Sequence, residues 1–259
     1  MSSDAPAPST REALLQSTAQ HLGAEALTTV EESSISEPVS TDTAPFPLSP
    51  VCITQESVPR NLKSDPAAIM VGLEFEIPRW EPGSVVKWTA WQRGYDSPAD
   101  ATHAAAHLKQ AAEAWNKADV GVNFEFVPLA KDANFVLTHG GDKGRVLASS
   151  YFPNRKGLNF VYVYSLAFRP DFRNGLWRIF THELGHVLGL RHEFAMDPNP
   201  ERFEGNAVQI GEANSLSVMN YREELPELQR SDIDATQQFY RLPVGTTLST
   251  TPIVDYVPQ

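Results

Sequence analysis

Short runs of alternating apolar and polar residues occupy the middle of the chain. Alternation with a period of two, in segments rich in Val, Phe, Tyr and Thr, is typical of half-buried β-strands. Gly, Asp, Asn and Lys residues separate the runs, as expected of turns. The pattern predicts five strands, at Val85–Trp91, Asn123–Pro128, Ala133–His139, Val146–Phe152 and Leu158–Tyr164.

Other segments carry the helical period, in which apolar residues recur every three or four positions. A serine cap followed by proline predicts an Ala-rich helix over Ser97–Lys117. A second helix is predicted at about Gly175–Leu190, and a third begins at Ser231 or Asp232 and ends near Arg241. No repeat of solenoid or propeller period is visible, so we expect one compact unit of sheet and helices.

The two ends of the chain differ in composition from this middle part. Residues 1–66 are rich in Ser, Thr, Pro, Ala and Glu, with Phe46 as their only aromatic residue, so they can bury little apolar surface. We expect them to form a mobile, pro-like extension with at most a short helix at Arg11–Leu22. The predicted domain spans residues 67–243, and residues 244–259 are expected to form an extended, exposed tail.

Composition and charge exclude several classes of protein. Of the 259 residues, 41% are apolar and 20% are charged, which is typical of a globular chain. The formal net charge of -11 repels phosphate backbones, so we expect no nucleic-acid partner. No run approaches the roughly 20 apolar residues that a membrane helix requires, so we expect no membrane partner.

Two observations bear on the cellular compartment. Cys52 is the only cysteine, so no disulfide can form within the chain, which suits a reducing environment. Residues Met1–Gln20 lack the apolar core of a secretory signal. A cytoplasmic location is therefore favoured, with export by a non-classical route as the alternative.

The segment Thr181–Glu193, which reads THELGHVLGLRHE, carries the candidate chemistry. On the predicted helix His182 and His186 are one turn apart, so both imidazoles project from one face and can bind a single zinc ion. Glu183 is rotated by about 100° around the helix, which places its carboxylate beside such an ion instead of on it. The carboxylate is then placed to act on water.

A third ligand is predicted a few residues further along. Gly189 can adopt a positive φ, end the helix and turn the chain, so that His192 swings back to the same ion. Three neutral nitrogens with one open position are typical of a catalytic zinc site. A chance pattern on an ordinary helix is the alternative, but the added glycine and third histidine at fixed offsets argue strongly against it.

The run HELGHVLGLRH resembles the HExxHxxGxxH signature of the metzincin metallopeptidases. Residues Ser217–Tyr221, SVMNY, resemble the methionine turn of that family. The resemblance implies that Met219 forms an apolar floor beneath the histidines and that Tyr221 matches the tyrosine that astacins and serralysins hold close to zinc. Ordinary core packing is the alternative for both residues. The implied fold is an α+β zincin with a twisted mixed five-stranded sheet, an active-site helix and a C-terminal helix.

The metzincin branch is mixed. Glu193 resembles astacins, whereas Leu190, RVLASSYFP and SDIDATQQFY resemble matrixins. The disulfides of astacins cannot form, and the loop that binds structural zinc in matrixins is not evident, so one catalytic zinc ion is expected. By resemblance Leu147, Ala148 and Ser149 lie on the sheet edge to which an extended peptide adds.

The implied function is that of a zinc-dependent endopeptidase, which we expect to act as a monomer on peptide or protein substrates. Glu183 would be the general base and Tyr221 would stabilise the oxyanion. One alternative is a catalytically silent peptide-binding module with a retained zinc site. Another is a zinc hydrolase of nonpeptide amides, because water activation is common to both reactions.

Further residues have a functional and an ordinary interpretation. His103 and His107 are one turn apart and could bind a second metal, but the solvated face of an Ala-rich helix is the favoured interpretation. Cys52 could block the zinc site as a propeptide thiolate or be an inert thiol. Glu193 could pair with a newly formed N-terminus or extend the solvated end of the active-site turn.

Overall fold

The computed structural model describes residues 10–35, 69–73, 75–196, 204, 207–212, 214–220 and 227–259. Cys52 and Tyr221 lie outside the described residues. Within them the fold is mixed α+β, with three sheets and five α-helices. None of these helices is both long and apolar enough to cross a bilayer.

Helices and strands are interspersed along the chain. The helices are α1 (Thr10–Leu22), α2 (Pro98–Lys117), α3 (Pro170–Arg173), α4 (Leu176–Val187) and α5 (Arg230–Arg241). The strands are β1 (Ile69–Val71), β2 (Ile77–Trp80), β3 (Val85–Ala90), β4 (Asn123–Phe126), β5 (Phe135–His139), β6 (Ala148–Ser149), β7 (Asn159–Val163), β8 (Leu190–Arg191), β9 (Val208–Ile210), β10 (Thr247–Leu248) and β11 (Thr251–Tyr256).

The main sheet has five strands in the order β4-β3-β5-β7-β6. Its first four strands are parallel and β6 is antiparallel to β7, so the predicted mixed five-stranded sheet is present. Parallel neighbours need a crossover between them, and α2 supplies it between β3 and β4. The strand predicted at Val146–Phe152 is confined to Ala148–Ser149, at one edge of the sheet.

One face of the main sheet packs on α2 and α4, and α4 carries the candidate site. Alternate residues of the three central strands point to this face, because successive side chains of a strand point to opposite sides. They are Val86, Trp88, Ala90, Phe135, Leu137, Val161 and Val163. Helices α2 and α4 pack on each other, and small alanines on the buried side of α2 allow a close approach.

Residues 10–27 pack on the opposite face of the sheet, while Val30 and Ile35 join the main core, so this part of the predicted extension is packed on the domain. Leu15 of α1 joins a cluster with Val136 and Leu158. The Arg11 Nε donates to the Gly157 carbonyl at 2.8 Å, and the Val30 amide donates to the Ala90 carbonyl at 2.8 Å. A few well-spaced apolar residues therefore suffice to dock a polar segment on a preformed sheet face.

The end of the chain also belongs to the folded unit, contrary to the predicted exposed tail. Strand β11 pairs in parallel with β2, and Ile253 is buried. The fully buried Arg79 of β2 donates to Asp255 at 2.6 Å and to the Phe239 carbonyl at 2.6 Å. A buried guanidinium needs such partners, so Asp255 ties the tail to the core. The domain bounds themselves stay predictions.

Candidate metal centre

Helix α4 carries the HELGH run and is buried along most of its length. Its last carbonyls are satisfied by side chains from other elements, as helix ends require when they are removed from water. The Trp80 Nε1 donates to the Val187 carbonyl at 2.8 Å, and the Tyr240 hydroxyl donates to the Leu188 carbonyl at 2.9 Å. These bonds fix the end of the helix at which the chain turns.

Gly189 makes the turn that the sequence predicts. Its φ is +93°, in the region that residues with a Cβ avoid. A Cβ at this position would also overlap the carbonyl oxygen of Pro78. The chain then enters β8, which pairs with β1 and delivers His192 to the helix. The predicted role of Gly189 in ending the helix is therefore confirmed.

The three predicted histidines come together. Nε2 of His182 lies 3.1 Å from Nε2 of His186 and 3.2 Å from Nε2 of His192. All three side chains are buried, and their candidate ligand atoms lie within 4.8 Å of one another. Three histidines in this proximity could bind a metal ion.

The hydrogen bonds of the histidines determine which nitrogen carries the hydrogen. Nδ1 of His182 lies 2.7 Å from the Val218 carbonyl, and Nδ1 of His186 lies 2.7 Å from the Leu190 carbonyl. A carbonyl oxygen only accepts, so each Nδ1 carries the hydrogen and donates it. In the neutral ring Nε2 then has no hydrogen and carries a lone pair. Nδ1 of His192 contacts a Glu204 carboxylate oxygen, another acceptor.

Three Nε2 lone pairs therefore face a common point. In the neutral tautomers, none of the imidazoles has a hydrogen to place between these nitrogens, and lone pairs at this separation repel one another. A cation at the common point removes the repulsion, and neutral imidazole is a frequent metal ligand. The donor set thus fits a metal ion on its own chemistry.

Burial keeps the two helix histidines neutral. Desolvation lowers the pKa of His182 to about 3, with a further decrease from His192 and a partial offset from the Val218 carbonyl. Desolvation also lowers the pKa of His186 well below its ordinary value, aided by the two neighbouring histidines. Metal ligands must be deprotonated, so both rings are ready for an ion at neutral pH.

Glu183 follows His182 on α4 and is fully buried. The Ser150 hydroxyl donates to its Oε2 at 2.7 Å. Ser150 directly follows β6, so the bond connects the edge of the main sheet to the carboxylate of the helix. A hydroxyl that donates to a carboxylate restricts it to one rotamer.

Met219, in the predicted methionine turn, lies directly against α4. A Cβ added to Gly185 would come within 2.5 Å of the Met219 Sδ, so glycine leaves the space that the fully buried Met219 fills. The turn is held by Asp232 of α5, which accepts from the Val218 amide at 2.9 Å. Met219 thus packs on the ligand helix, and its role as a floor under an ion stays a prediction.

Glu193 does not lie at a solvated end, and its pairing with a newly formed N-terminus stays a prediction. Its side chain is buried, its Oε1 accepts from the Asn214 amide at 2.7 Å, and its other oxygen contacts the Asn220 side-chain amide. The Glu193 amide donates to the Met219 carbonyl at 3.1 Å. Glu193 therefore ties the segment after His192 to the methionine turn and is not a solvated end.

The remaining predicted residues have different outcomes. Leu147, Ala148 and Ser149 lie in or next to the edge strand β6, and their contact with a substrate stays a prediction. His107 is only 3% exposed, so the predicted solvated face is wrong for it, and burial lowers its pKa to about 3. Within the described residues no second cluster of three metal-binding side chains is found.

A scan against protein-family models finds no match, and neither does a search of curated proteins. Among solved structures, one described as the structure of myroilysin is similar to this chain over 63% of its length and 82% of that chain. The identity is 17% and the TM-score is 0.43. A likeness this weak carries no weight for fold or function, which rest on the residues of this chain.

Sequence patterns did not reveal every residue of the centre. Ser150 lies within a predicted strand, but its contact with Glu183 joins residues that are far apart in sequence. Glu204 is twelve residues after His192, in a stretch with no regular period. Asp232 was predicted only as a possible start of the last helix, and its bond to the Val218 amide was not. Each acts through a long-range contact that no local pattern encodes.

Proposed function

We propose that this chain is a zinc-dependent endopeptidase whose metal is held by His182, His186 and His192. The observation that carries the proposal is the tautomeric arrangement: each Nδ1 faces an acceptor, so three Nε2 lone pairs converge in a buried site. Glu183 lies one residue after the first ligand, on the same helix.

Zinc is the ion that this donor set fits best. Three neutral nitrogens at a site that leaves a place for another ligand match catalytic zinc, whereas magnesium and calcium prefer oxygen ligands. When bound, zinc supplies Lewis acidity, which makes a carbonyl carbon more electrophilic and water more acidic at neutral pH.

Glu183 is the proposed general base. Its carboxylate accepts a proton from the attacking water and returns that proton to the amine that leaves. Burial of the side chain and the 2.7 Å bond from Ser150 hold the carboxylate in one orientation, which reduces the reorganisation that proton transfer requires.

Strand β6 is the proposed docking edge for an extended peptide. The Tyr164 amide donates to the Leu147 carbonyl at 2.9 Å, so the backbone groups of Leu147 face β7. In an antiparallel pair these groups alternate, which turns the amide and carbonyl of Ala148 to the outer edge. A substrate strand can pair there, while Leu147 and Ser149 flank the contact.

Tyr221 is the proposed oxyanion donor. It is two residues after Met219 in the sequence and lies outside the described residues, so its role rests on the resemblance to astacins and serralysins. By analogy with other oxyanion donors, its hydroxyl would contribute on the order of 3 kcal/mol to the transition state.

A fluorogenic peptide library tests the proposal directly. The full-length protein loaded with zinc is expected to cleave a subset of the peptides, and a chelator is expected to stop cleavage. Glu183→Gln removes the base but retains the three imidazoles, so it is expected to lose at least about a hundredfold in kcat, a typical effect of removing a general base. Its bound zinc, measured by atomic absorption, should equal that of the wild type.

A matched control uses the exposed Glu125 of β4, because Glu125→Gln makes the same change far from the histidines. It should leave cleavage unchanged. If the zinc-loaded protein binds library peptides but cuts none, a silent peptide-binding module is favoured and the peptidase proposal fails. Hydrolysis of simple amides without cleavage of any peptide would favour a nonpeptide amidase instead.

A further inference from the structure

An ion pair lies directly behind His192. Glu204 contacts Nδ1 of His192 through one carboxylate oxygen, and its other oxygen lies 3.3 Å from Nη2 of Arg191. The same Arg191 nitrogen donates to the Glu204 carbonyl at 2.9 Å, and its Nη1 donates to the Gly72 carbonyl at 2.9 Å. The glutamate therefore bridges a predicted metal ligand and a buried cation.

The Glu204 carboxylate, as the acceptor at Nδ1, distinguishes His192 from the other two histidines. His182 and His186 donate to neutral backbone carbonyls, whereas His192 donates to a carboxylate. A hydrogen bond to a charged acceptor is roughly twice as strong as one to a neutral acceptor. It also polarises the Nδ1–H bond, so more electron density is available at Nε2 for a metal ion.

Charge gives a second reason for the glutamate. Arg191 precedes His192 in sequence, and its side chain is only 2% exposed, so water screens its charge poorly. A divalent ion near a buried guanidinium is repelled unless an anion offsets the guanidinium. Glu204 supplies this anion while it accepts the hydrogen of His192.

We propose that Glu204 is a positioning residue that strengthens metal binding by polarising His192 and by neutralising Arg191. The inference rests on the metal site of the proposed function but not on peptide cleavage. Substituting a carboxylate that bonds a metal-bound histidine typically weakens metal affinity by about 10- to 100-fold. The zinc affinity of Glu204→Ala is therefore expected to be about 10- to 100-fold weaker than that of the wild type.

The amide variant separates the two contributions. Glu204→Gln retains an oxygen that can accept from His192 but removes the negative charge beside Arg191, so an intermediate loss of affinity is expected. The double change Arg191→Met with Glu204→Gln removes both charges and should bind zinc more tightly than Glu204→Gln alone. Glu212→Gln, at an exposed glutamate of a neighbouring segment, is the matched control and should bind as the wild type does.

The measurement is the zinc dissociation constant of each full-length variant, obtained by competition with a chromophoric chelator. The absorption spectrum of the cobalt-loaded protein reports the geometry of the ligands, and thermal unfolding of the metal-free protein reports the fold. We expect weaker zinc binding and an altered cobalt spectrum, with metal-free unfolding close to that of the wild type.

Two outcomes overturn the inference. One is wild-type zinc affinity in both single Glu204 variants. The other is a loss of affinity accompanied by an equally large loss of stability in the metal-free protein, which indicates a merely structural role. If the wild type binds zinc but cleaves no peptide, the peptidase proposal is refuted and the inference on Glu204 is not affected. If the wild type binds no zinc, both are refuted.

Discussion

The two halves of the candidate metal centre are built in different ways. The helix half, with His182, Glu183 and His186, lies on one buried element whose period places its groups at fixed angles. The loop half, with His192 and Met219, is held by contacts between segments that are distant in sequence, through Glu204 and Asp232. One half is therefore specified locally and the other by tertiary partners.

This difference indicates where the centre is sensitive to substitution. Backbone hydrogen bonds within α4 hold the helix half, so a change in one neighbouring side chain leaves its ligands in place. In the loop half each constraint is a single side chain that satisfies a buried polar group, and its removal leaves that group unpaired.

The largest effect is expected at Gly189, where the halves join. Gly189→Ala places a Cβ at a φ of +93° and against the Pro78 carbonyl. Backbone strain and overlap together should lower the free energy of unfolding by about 3 kcal/mol. Zinc affinity should fall as well, because His192 is displaced. Denaturant unfolding and chelator competition measure the two effects.

Gly83 offers a matched control for this prediction. Its φ is +88°, close to that of Gly189, but an added Cβ has no atom within 4 Å. Gly83→Ala thus retains the strain without the overlap and should cost only about 1–2 kcal/mol. Equal losses of stability in the two variants would show that the overlap with Pro78 adds nothing to the backbone strain. Gly189 would then be packed less closely against Pro78 than proposed.

In the helix half, Ser150→Ala tests the hydrogen bond from the sheet edge to Glu183. Without the hydroxyl the carboxylate is less firmly oriented, and a hydrogen bond to a charged group contributes about 1.5 kcal/mol or more. We expect kcat for peptide cleavage to fall roughly tenfold, which is the corresponding change in rate. KM and bound zinc should change little.

Two further variants sharpen this test. Ser150→Thr retains the hydroxyl and should recover most of the lost kcat, whereas Ser165→Ala removes a half-buried hydroxyl that contacts His139 and should leave kcat unchanged. A wild-type kcat in Ser150→Ala would show that α4 alone orients the base. The helix half would then be independent of the sheet edge.

The helix half could be predicted from sequence because its information is local. The spacing of His182 and His186 and the glycine at 189 fix a face and a helix end, and the structure has both. Four strands of the main sheet likewise begin and end within about two residues of the predicted bounds, since period-two alternation is a local signal.

The partners of the loop half could not be predicted in the same way. Glu204 and Asn214 act through contacts with residues that are distant in sequence, and nothing in the surrounding residues marks them. The same holds for residues 10–35, whose polar composition conceals the few apolar side chains that dock on the sheet. Composition reports average burial, while these segments depend on a few residues placed opposite a complementary surface.

The smallest effect is expected in the loop half, at Asp232. Burial raises the pKa of this carboxyl, with partial offsets from the amides of Val218 and Gln229 and from Ser217. The folded state therefore binds this proton more tightly than the unfolded state, so the contribution of Asp232 to stability is greatest at acid pH. It is lost as pH rises from the ordinary carboxyl range through the raised pKa.

Asp232→Asn removes this titration but retains an acceptor for the Val218 amide, so the change at any one pH should be about 1 kcal/mol or less. The stability of the wild type relative to the variant should decline as pH rises across that window and be flat above it. Burial raises the pKa of Glu193 and the charge of Asp232 raises it further, with partial offsets from Asn214 and Asn220, so the effect of Asp232 on Glu193 adds to the decline. Denaturant unfolding of the metal-free proteins at a series of pH values measures this pH dependence of stability. Asp234→Asn, a change of an exposed carboxylate on the same helix, is the control. If the difference in unfolding free energy between wild type and variant is the same from acid to neutral pH, the pKa of Asp232 is not raised by burial in the folded protein. The segment around Met219 would then depend as little on tertiary contacts as α4 does.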